Sequence, residues 1–185
     1  MRITLVHPTG SNWVPGKKDV TAVANRMAPL GLLSIAAYLE REGHEVSVLD
    51  CLGPGAAKNN DAHVQSILQK DPHMVGFSAT TSGFLDGYDL AVRIKARRPR
   101  IKTVFGGVHI SALGSTLLNG YEAIDYLCLG EGEATLAELA SGKAPAHVNG
   151  LAWRDGDQAV LNPPRPQIPD LDDLPFPAYE KLSGF

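Results

Sequence analysis

The sequence predicts an α/β fold: a doubly wound parallel sheet of five strands, followed by a β-hairpin and an extended linker. Three observations predict it. Short runs rich in β-branched residues alternate five times with segments of helical apolar spacing between residues 3 and 139. The short runs are apolar almost throughout, as strands covered on both faces must be. Beyond residue 150 the alternation stops and the chain becomes rich in proline.

Ile3–His7 (ITLVH) is the first strand, ended by Pro8. After a polar loop, Pro29–Arg41 (PLGLLSIAAYLER) sets Leu32, Leu33, Ile35, Ala36 and Leu39 at helical spacing and stops before Gly43. Val46–Leu49 is the second strand. Val64–Leu68 belongs to a second helix, with Asp61 expected as its cap. Met74–Ser78 (MVGFS) is the third strand. The helix from Leu85 to Arg97 keeps Leu85, Leu90 and Ile94 on one face and Arg93, Lys95, Arg97 and Arg98 outside, a solvated charged face. Ile101–Phe105, Ser111–Leu118, Ile124–Leu129 and Glu133–Leu139 complete the alternation as strand, helix, strand and helix. Right-handed crossovers then place helices on both sides of one parallel sheet.

Leu151–Arg154 and Gln158–Leu161 flank Asp155-Gly156-Asp157, in which Asp-Gly accepts the positive φ of a tight hairpin. From Pro163 onward the prolines remove backbone donors, so the segment is expected to run as a connector that packs poorly on the sheet. The expected division is residues 1–142 as the sheet domain and 143–185 as hairpin and connector, leading into a domain beyond this stretch of sequence.

Seventeen basic against twenty acidic residues leave a formal charge of −3, which supplies no basic footprint for a phosphate backbone, so nucleic acid is not an expected partner. The opening MRITLVHPTG lacks the apolar core of a signal peptide, and no stretch approaches the roughly 18 apolar residues of a membrane span. A membrane partner is therefore not expected, and a cytoplasmic location is. Cys51 and Cys128 are far apart and match no zinc or iron–sulfur spacing, so both read as free thiols of a reducing compartment.

In an open parallel sheet the ligand site lies beyond the carboxyl ends of the strands, where strand order reverses. That rule selects the loops holding Ser78, Thr80, Thr81 and Ser82 after strand three, Gly106, Gly107 and His109 after strand four, and Gly130, Glu131 and Gly132 after strand five. Hydroxyls there hydrogen-bond a polar ligand without filling space, the glycines admit close approach of backbone, and helix N-termini favour a phosphate. Each feature also has a structural reading: Ser and Thr cap helices, Gly-Gly makes a turn, and Glu131 and Glu133 sit where acidic groups support a helix start. His7 and His109, at strand ends facing the crevice, fit a ligand, a base or a hydrogen-bonding filler.

Several functions are excluded. No GxGxxG follows strand one and no GxxxxGK[ST] occurs. A phosphate-accepting receiver needs carboxylates beyond strand one and an Asp at the tip of strand three, where this chain has His7 and Ser78. No nucleophile elbow and no HExxH appears, so hydrolysis has no support. Two alternatives stay open: a cofactor-free Rossmann-like scaffold, and a flavodoxin-like protein using FMN, the latter disfavoured by the scarcity of hydroxyls in Pro8–Asn12.

With these residues in view, the chain resembles the N-terminal cobalamin-binding, Rossmann-like (flavodoxin-like) domain of cobalamin-dependent radical SAM enzymes, a group that includes methyltransferases and anaerobic porphyrin-ring cyclases. The marks run in order: His7-Pro8; Pro29-Leu30-Gly31-Leu32; Gly43-His44-Glu45-Val46; Val75-Gly76-Phe77-Ser78; Gly106-Gly107-Val108-His109; Gly130-Glu131-Gly132-Glu133; and Asp172-Asp173-Leu174-Pro175-Phe176-Pro177-Ala178. The resemblance implies cobalamin as cofactor. It also implies contacts from Pro29, Leu30, Gly31, Ser78, Thr80, Thr81, Ser82, Gly106, Gly107, His109, Gly130, Glu131 and Gly132, with the nucleotide tail threading past Ser78, Thr80, Gly106, Gly107 and Gly130.

The DxHxxG motif by which other cobalamin carriers place a His under cobalt is missing, since the first loop reads HPTGSNWVPG. Base-off cobalamin without a protein His on the metal is the expectation that follows. S-adenosylmethionine and a 4Fe-4S cluster are expected only in a C-terminal radical SAM domain, the other expected partner, because this chain has no Cys-x3-Cys-x2-Cys run.

Overall fold

The fold is that of a computed structural model, in which residues 1–10, 27–57 and 59–182 are described. The rest of the first loop, including Ser11 and Asn12 on which the argument against FMN partly rests, lies outside the described residues.

The alternation appears as β1 (Arg2–His7), α1 (Leu30–Arg41), β2 (Glu45–Asp50), α2 (Asn60–Gln69), β3 (Met74–Ser78), α3 (Phe84–Arg97), β4 (Lys102–Gly106), α4 (Val108–Leu113), β5 (Tyr126–Cys128) and α5 (Glu133–Ala140). The hairpin follows as β6 (Leu151–Asp155) and β7 (Gln158–Leu161). The sheet order is β2-β1-β3-β4-β5-β6-β7. The first five strands pair in parallel, while β6 joins β5, and β7 joins β6, antiparallel.

The sheet therefore has seven strands, and the hairpin extends it instead of standing apart. Three-residue β5 would otherwise be a bare edge with unpaired backbone groups, and β6 covers it. Leu151 and Ala152 are fully buried, one in the core of each face.

Three local expectations are corrected. Asn59, not Asp61, caps α2: its side chain accepts the Ala62 N–H at 2.9 Å, while Asp61, inside the first turn, pairs with Arg93 and Arg97. The helix expected over 111–118 begins at Val108 and gives way at Gly114 (φ +65°) to a 3-10 turn over Gly114–Asn119. The fifth strand is shorter than 124–129 because Asp125 turns its carboxylate onto the Thr103 N–H (2.7 Å) and Lys95 (2.5 Å) just ahead of β5.

α1 and α5 cover one face, where Leu32, Ala36, Leu39, Leu136 and Ala140 pack on Ile3, Leu5, Met74 and Val104. α2, α3 and α4 cover the other, where Val64, Ile67, Leu90, Ile94 and Ile110 pack on Val6, Val75, Phe77, Phe105 and Leu127. Among the described residues no helix is long and apolar enough to cross a membrane.

The connector is pinned at several places, contrary to the expectation of poor packing. Prolines remove their own donors, but the residues between them bond. Arg165 reaches Thr135 (2.8 Å) and Glu138 (2.7 Å) on α5, and the Ile168 N–H donates to Glu131 Oε2 (2.7 Å). The Ala178 N–H donates to the Leu33 carbonyl on α1, and Ala178 and Leu182 are buried.

Candidate functional site

Order β2-β1-β3 means that the connections leaving β1 and β3 run in opposite directions, which opens a crevice at their carboxyl ends. A cavity of about 230 Å³ lies there, on the face covered by α1 and α5. Its apolar walls include Leu5, Leu32, Ile35, Val104, Cys128 and Leu136, and its polar groups are Ser78, Glu131 and Glu133.

Glycine makes the space. Six glycines line the cavity: Gly31, Gly76, Gly106, Gly107, Gly130 and Gly132. Gly76 stands in the middle of β3, in register with Leu5 and Val104, and a Cβ there would lie 2.8 Å from Leu5 Cδ2. A Cβ on Gly132 would lie 2.8 Å from Ile35 Cδ1. Glycine inside a strand weakens it and marks close approach of something to the backbone. At Gly106 an added Cβ meets only ordinary contacts with Cys128, at 3.5 and 3.7 Å, so a side chain there fits the backbone and occupies the cavity.

Gly107 differs from Gly106. It has φ +105°, and a Cβ would lie 2.8 Å from the Ala79 carbonyl oxygen. A substitution there strains the chain itself. Gly107→Leu would therefore disturb the fold as well as any ligand beside it.

Seven of the residues singled out from the sequence line the cavity: Gly31, Ser78, Gly106, Gly107, Gly130, Glu131 and Gly132. The others do not. Thr80 accepts the Gly83 N–H (3.3 Å) and pairs with Ser82 (3.1 Å), which shapes the loop entering α3. Thr81 contacts His109 Nδ1 at 3.2 Å, and the His109 ring sits 4.8 Å from that of Phe84. The Pro29 carbonyl accepts the N–H groups of Leu32 and Leu33 at the start of α1, and Leu30 is exposed. His7 pairs with Asp50 at 2.9 Å and is likewise not part of the cavity wall.

Sequence reasoning missed the apolar walls and gave Glu133 only a structural role, as an acidic residue at a helix start. Of these only Gly76 carried a signal, a glycine within an otherwise bulky strand. Glu133 is buried (8% exposed), and its Oε1 accepts the Ser34 hydroxyl at 2.8 Å, which joins α5 to α1 beside the cavity. Cys128 is wall, not nucleophile: burial pushes its thiol up to about 12, far above the range in which a thiolate forms. Among the described residues no cluster of three or more His, Cys, Asp or Glu could hold a metal ion.

Fold and site together define a class: a doubly wound α/β domain with a glycine-lined cavity between its sheet and one pair of helices. Residues 16–140 match the family described as the B12 binding domain, and the chain belongs to that family. A methyltransferase from Pyrococcus horikoshii, PH0819, is 31% identical over 98% of this chain and 39% of its own length. An anaerobic magnesium-protoporphyrin IX monomethyl ester cyclase from Synechocystis is 31% identical over 93% of this chain and 34% of its own length. The chain thus spans between a third and two-fifths of these relatives.

Among solved structures, the radical S-adenosylmethionine methyltransferase TsrM from Kitasatospora setae, with cobalamin and a [4Fe-4S] cluster bound, matches 97% of this chain and 31% of its own. The TM-score is 0.69 and the identity 22%, a likeness of fold. The residues present fit the family's cofactor, since Gly106 and Gly130, where an added Cβ would meet ordinary contacts or open space, leave room in the cavity.

Proposed function

We propose that this domain holds base-off cobalamin, with the nucleotide tail in the cavity between the sheet and helices α1 and α5. We propose further that it serves methyl transfer, or a related radical reaction, performed with a radical SAM domain of the same protein. The observation that carries the reading is a cavity lined by glycines beyond the carboxyl ends of the strands, in which Gly106 and Gly130 stand beside space that a side chain would occupy. When bound, cobalamin supplies a cobalt centre that takes up and passes on a methyl group or an electron.

The chain's own residues bind and orient. Leu5, Val104, Leu136 and Ile35 offer apolar surface to the aromatic base of the tail, and Ser78 offers a hydroxyl. Backbone at Gly106 and Gly107 comes within reach of the tail because no side chain intervenes. Neither His7 nor His109 belongs to the cavity wall, and both have side-chain partners. The S-adenosylmethionine and 4Fe-4S chemistry is assigned to the radical SAM domain, the partner of this one.

Titration with hydroxocobalamin up to millimolar cofactor tests the reading. The expected result is saturable uptake with the visible spectrum of the base-off form. In the Co(II) state, electron paramagnetic resonance should show no nitrogen superhyperfine splitting, and His7→Ala and His109→Ala should leave the signal unchanged. A folded chain that takes up no cobalamin would favour a scaffold role.

A further inference from the structure

We infer that Glu133 reads the nucleotide tail by accepting a hydrogen bond from its ribose, which makes this residue a determinant of preference for complete cobalamin over tail-less corrinoids. The inference rests on the reading above, that the tail occupies the cavity. Its starting point is an anomaly. A carboxylate at the first position of α5 gains from the helix N-terminus equally well if it points to solvent, yet Glu133 is buried and lines a cavity whose other walls are mostly Leu, Ile, Val and Gly. Burying a carboxylate is costly unless its lone pairs find donors.

Among the described residues the Ser34 hydroxyl donates to Oε1. A carboxylate has about four acceptor positions, so Ser34 leaves most of them unused. Among the described residues, Leu5, Ile35, Val104 and Leu136 of the wall offer no donor, and Ser34 is the side chain that bonds Glu133. A ligand entering the cavity completes the set only if it brings one.

Of the three parts that a complete cobalamin has and cobinamide lacks, only one does so. The phosphate diester and the benzimidazole nitrogen accept hydrogen bonds, whereas the ribose donates them through its hydroxyl groups. Ser34 holds the carboxylate in place from α1, so the acceptor is oriented before the ligand arrives.

The test compares affinities for cobalamin and for cobinamide, which lacks the ribose, the base and the nucleotide phosphate, in the wild type, Glu133→Leu and Glu133→Gln. Glu133→Leu suits the apolar wall and removes the acceptor. It should weaken cobalamin about 10- to 100-fold, the range of a hydrogen bond to a charged group. Glu133→Gln, which keeps one neutral acceptor, should fall between. Cobinamide binding should not change. Cobalamin affinity within about twofold of wild type in both variants would overturn the inference. So would an equal loss for cobinamide. Where cobinamide binds too weakly to measure, the cobalamin comparison decides alone. Failure of the wild type to bind cobalamin would instead overturn the proposed function.

Discussion

The two faces of the sheet are built from neighbouring residues of the same strands, and they have opposite fillings. β3 carries Gly76 next to Phe77, and β4 carries Phe105 next to Gly106. Successive strand residues point to opposite faces, so both phenylalanines fall on the side of α2, α3 and α4 and both glycines on the side of α1 and α5. On the filled side the Phe77 and Phe105 rings stack with centroids 4.6 Å apart, and Phe84 and Tyr121 add edge-on contacts. On the other side the same strands leave a cavity. One face holds the fold together while the other reserves room, and two dipeptides encode the division.

The sharpest way to break this comparison is to exchange the roles. Phe105→Ala removes the centre of the aromatic cluster and should cost about 3–5 kcal/mol of stability, measured by urea denaturation. A loss under about 1 kcal/mol would mean that the filled face is not where stability lies.

Gly106→Val, one residue away, should do the reverse. Its Cβ meets no close contact and β-branching suits a strand, so stability should stay within about 1 kcal/mol of wild type. The side chain takes up cavity space, and cobalamin affinity should drop at least about tenfold by spectroscopic titration. Unchanged affinity would place the tail elsewhere.

The smallest effect sharpens the comparison through the two thiols, Cys51 in the filled core and Cys128 beside the cavity. Burial raises both from 9.0 to about 12. A neutral thiol held above its unfolded value favours folding fully below pH 9, and that contribution fades as pH climbs toward 12. Each thiol should contribute up to about 1.4 kcal/mol per pH unit to the alkaline decline. Cys51→Ala and Cys128→Ala should each flatten the slope of stability against pH in that window. Flattening by Cys51→Ala alone would show that water in the cavity solvates the Cys128 thiolate.

Most of the fold was legible because buried strands and amphipathic helices announce themselves by period. The hairpin's Asp-Gly turn was equally plain, but its attachment to β5 was not: pairing partners depend on which edge lies bare, and no local pattern says that β5 stops after three residues. Asn59 and Asp61 are both good caps by type, and only the chain path decides between them. For the site, the glycines at strand ends could be found in advance. Thr80, Thr81 and Ser82 were read as ligand contacts and lie outside the cavity wall: Thr80 and Ser82 bond within the loop entering α3 and Thr81 bonds His109, since a hydroxyl two or three residues from a helix start serves the loop as readily as a cofactor. Glu133 was read only as support for a helix start because its burial is a property of the α1–α5 pairing, absent from any short stretch of sequence.

The contact between Ile168 and Glu131 has a thermodynamic meaning beyond tethering. Glu131 belongs at once to the cavity wall and, through its Oε2, to the connector. Two equilibria that share one group cannot be independent. If a ligand contacts that carboxylate, the coupling free energy by which it alters the release of residues 165–178 equals that by which release alters ligand affinity. The connector therefore acts as a second ligand of its own domain, held at a very high local concentration by the chain that joins them.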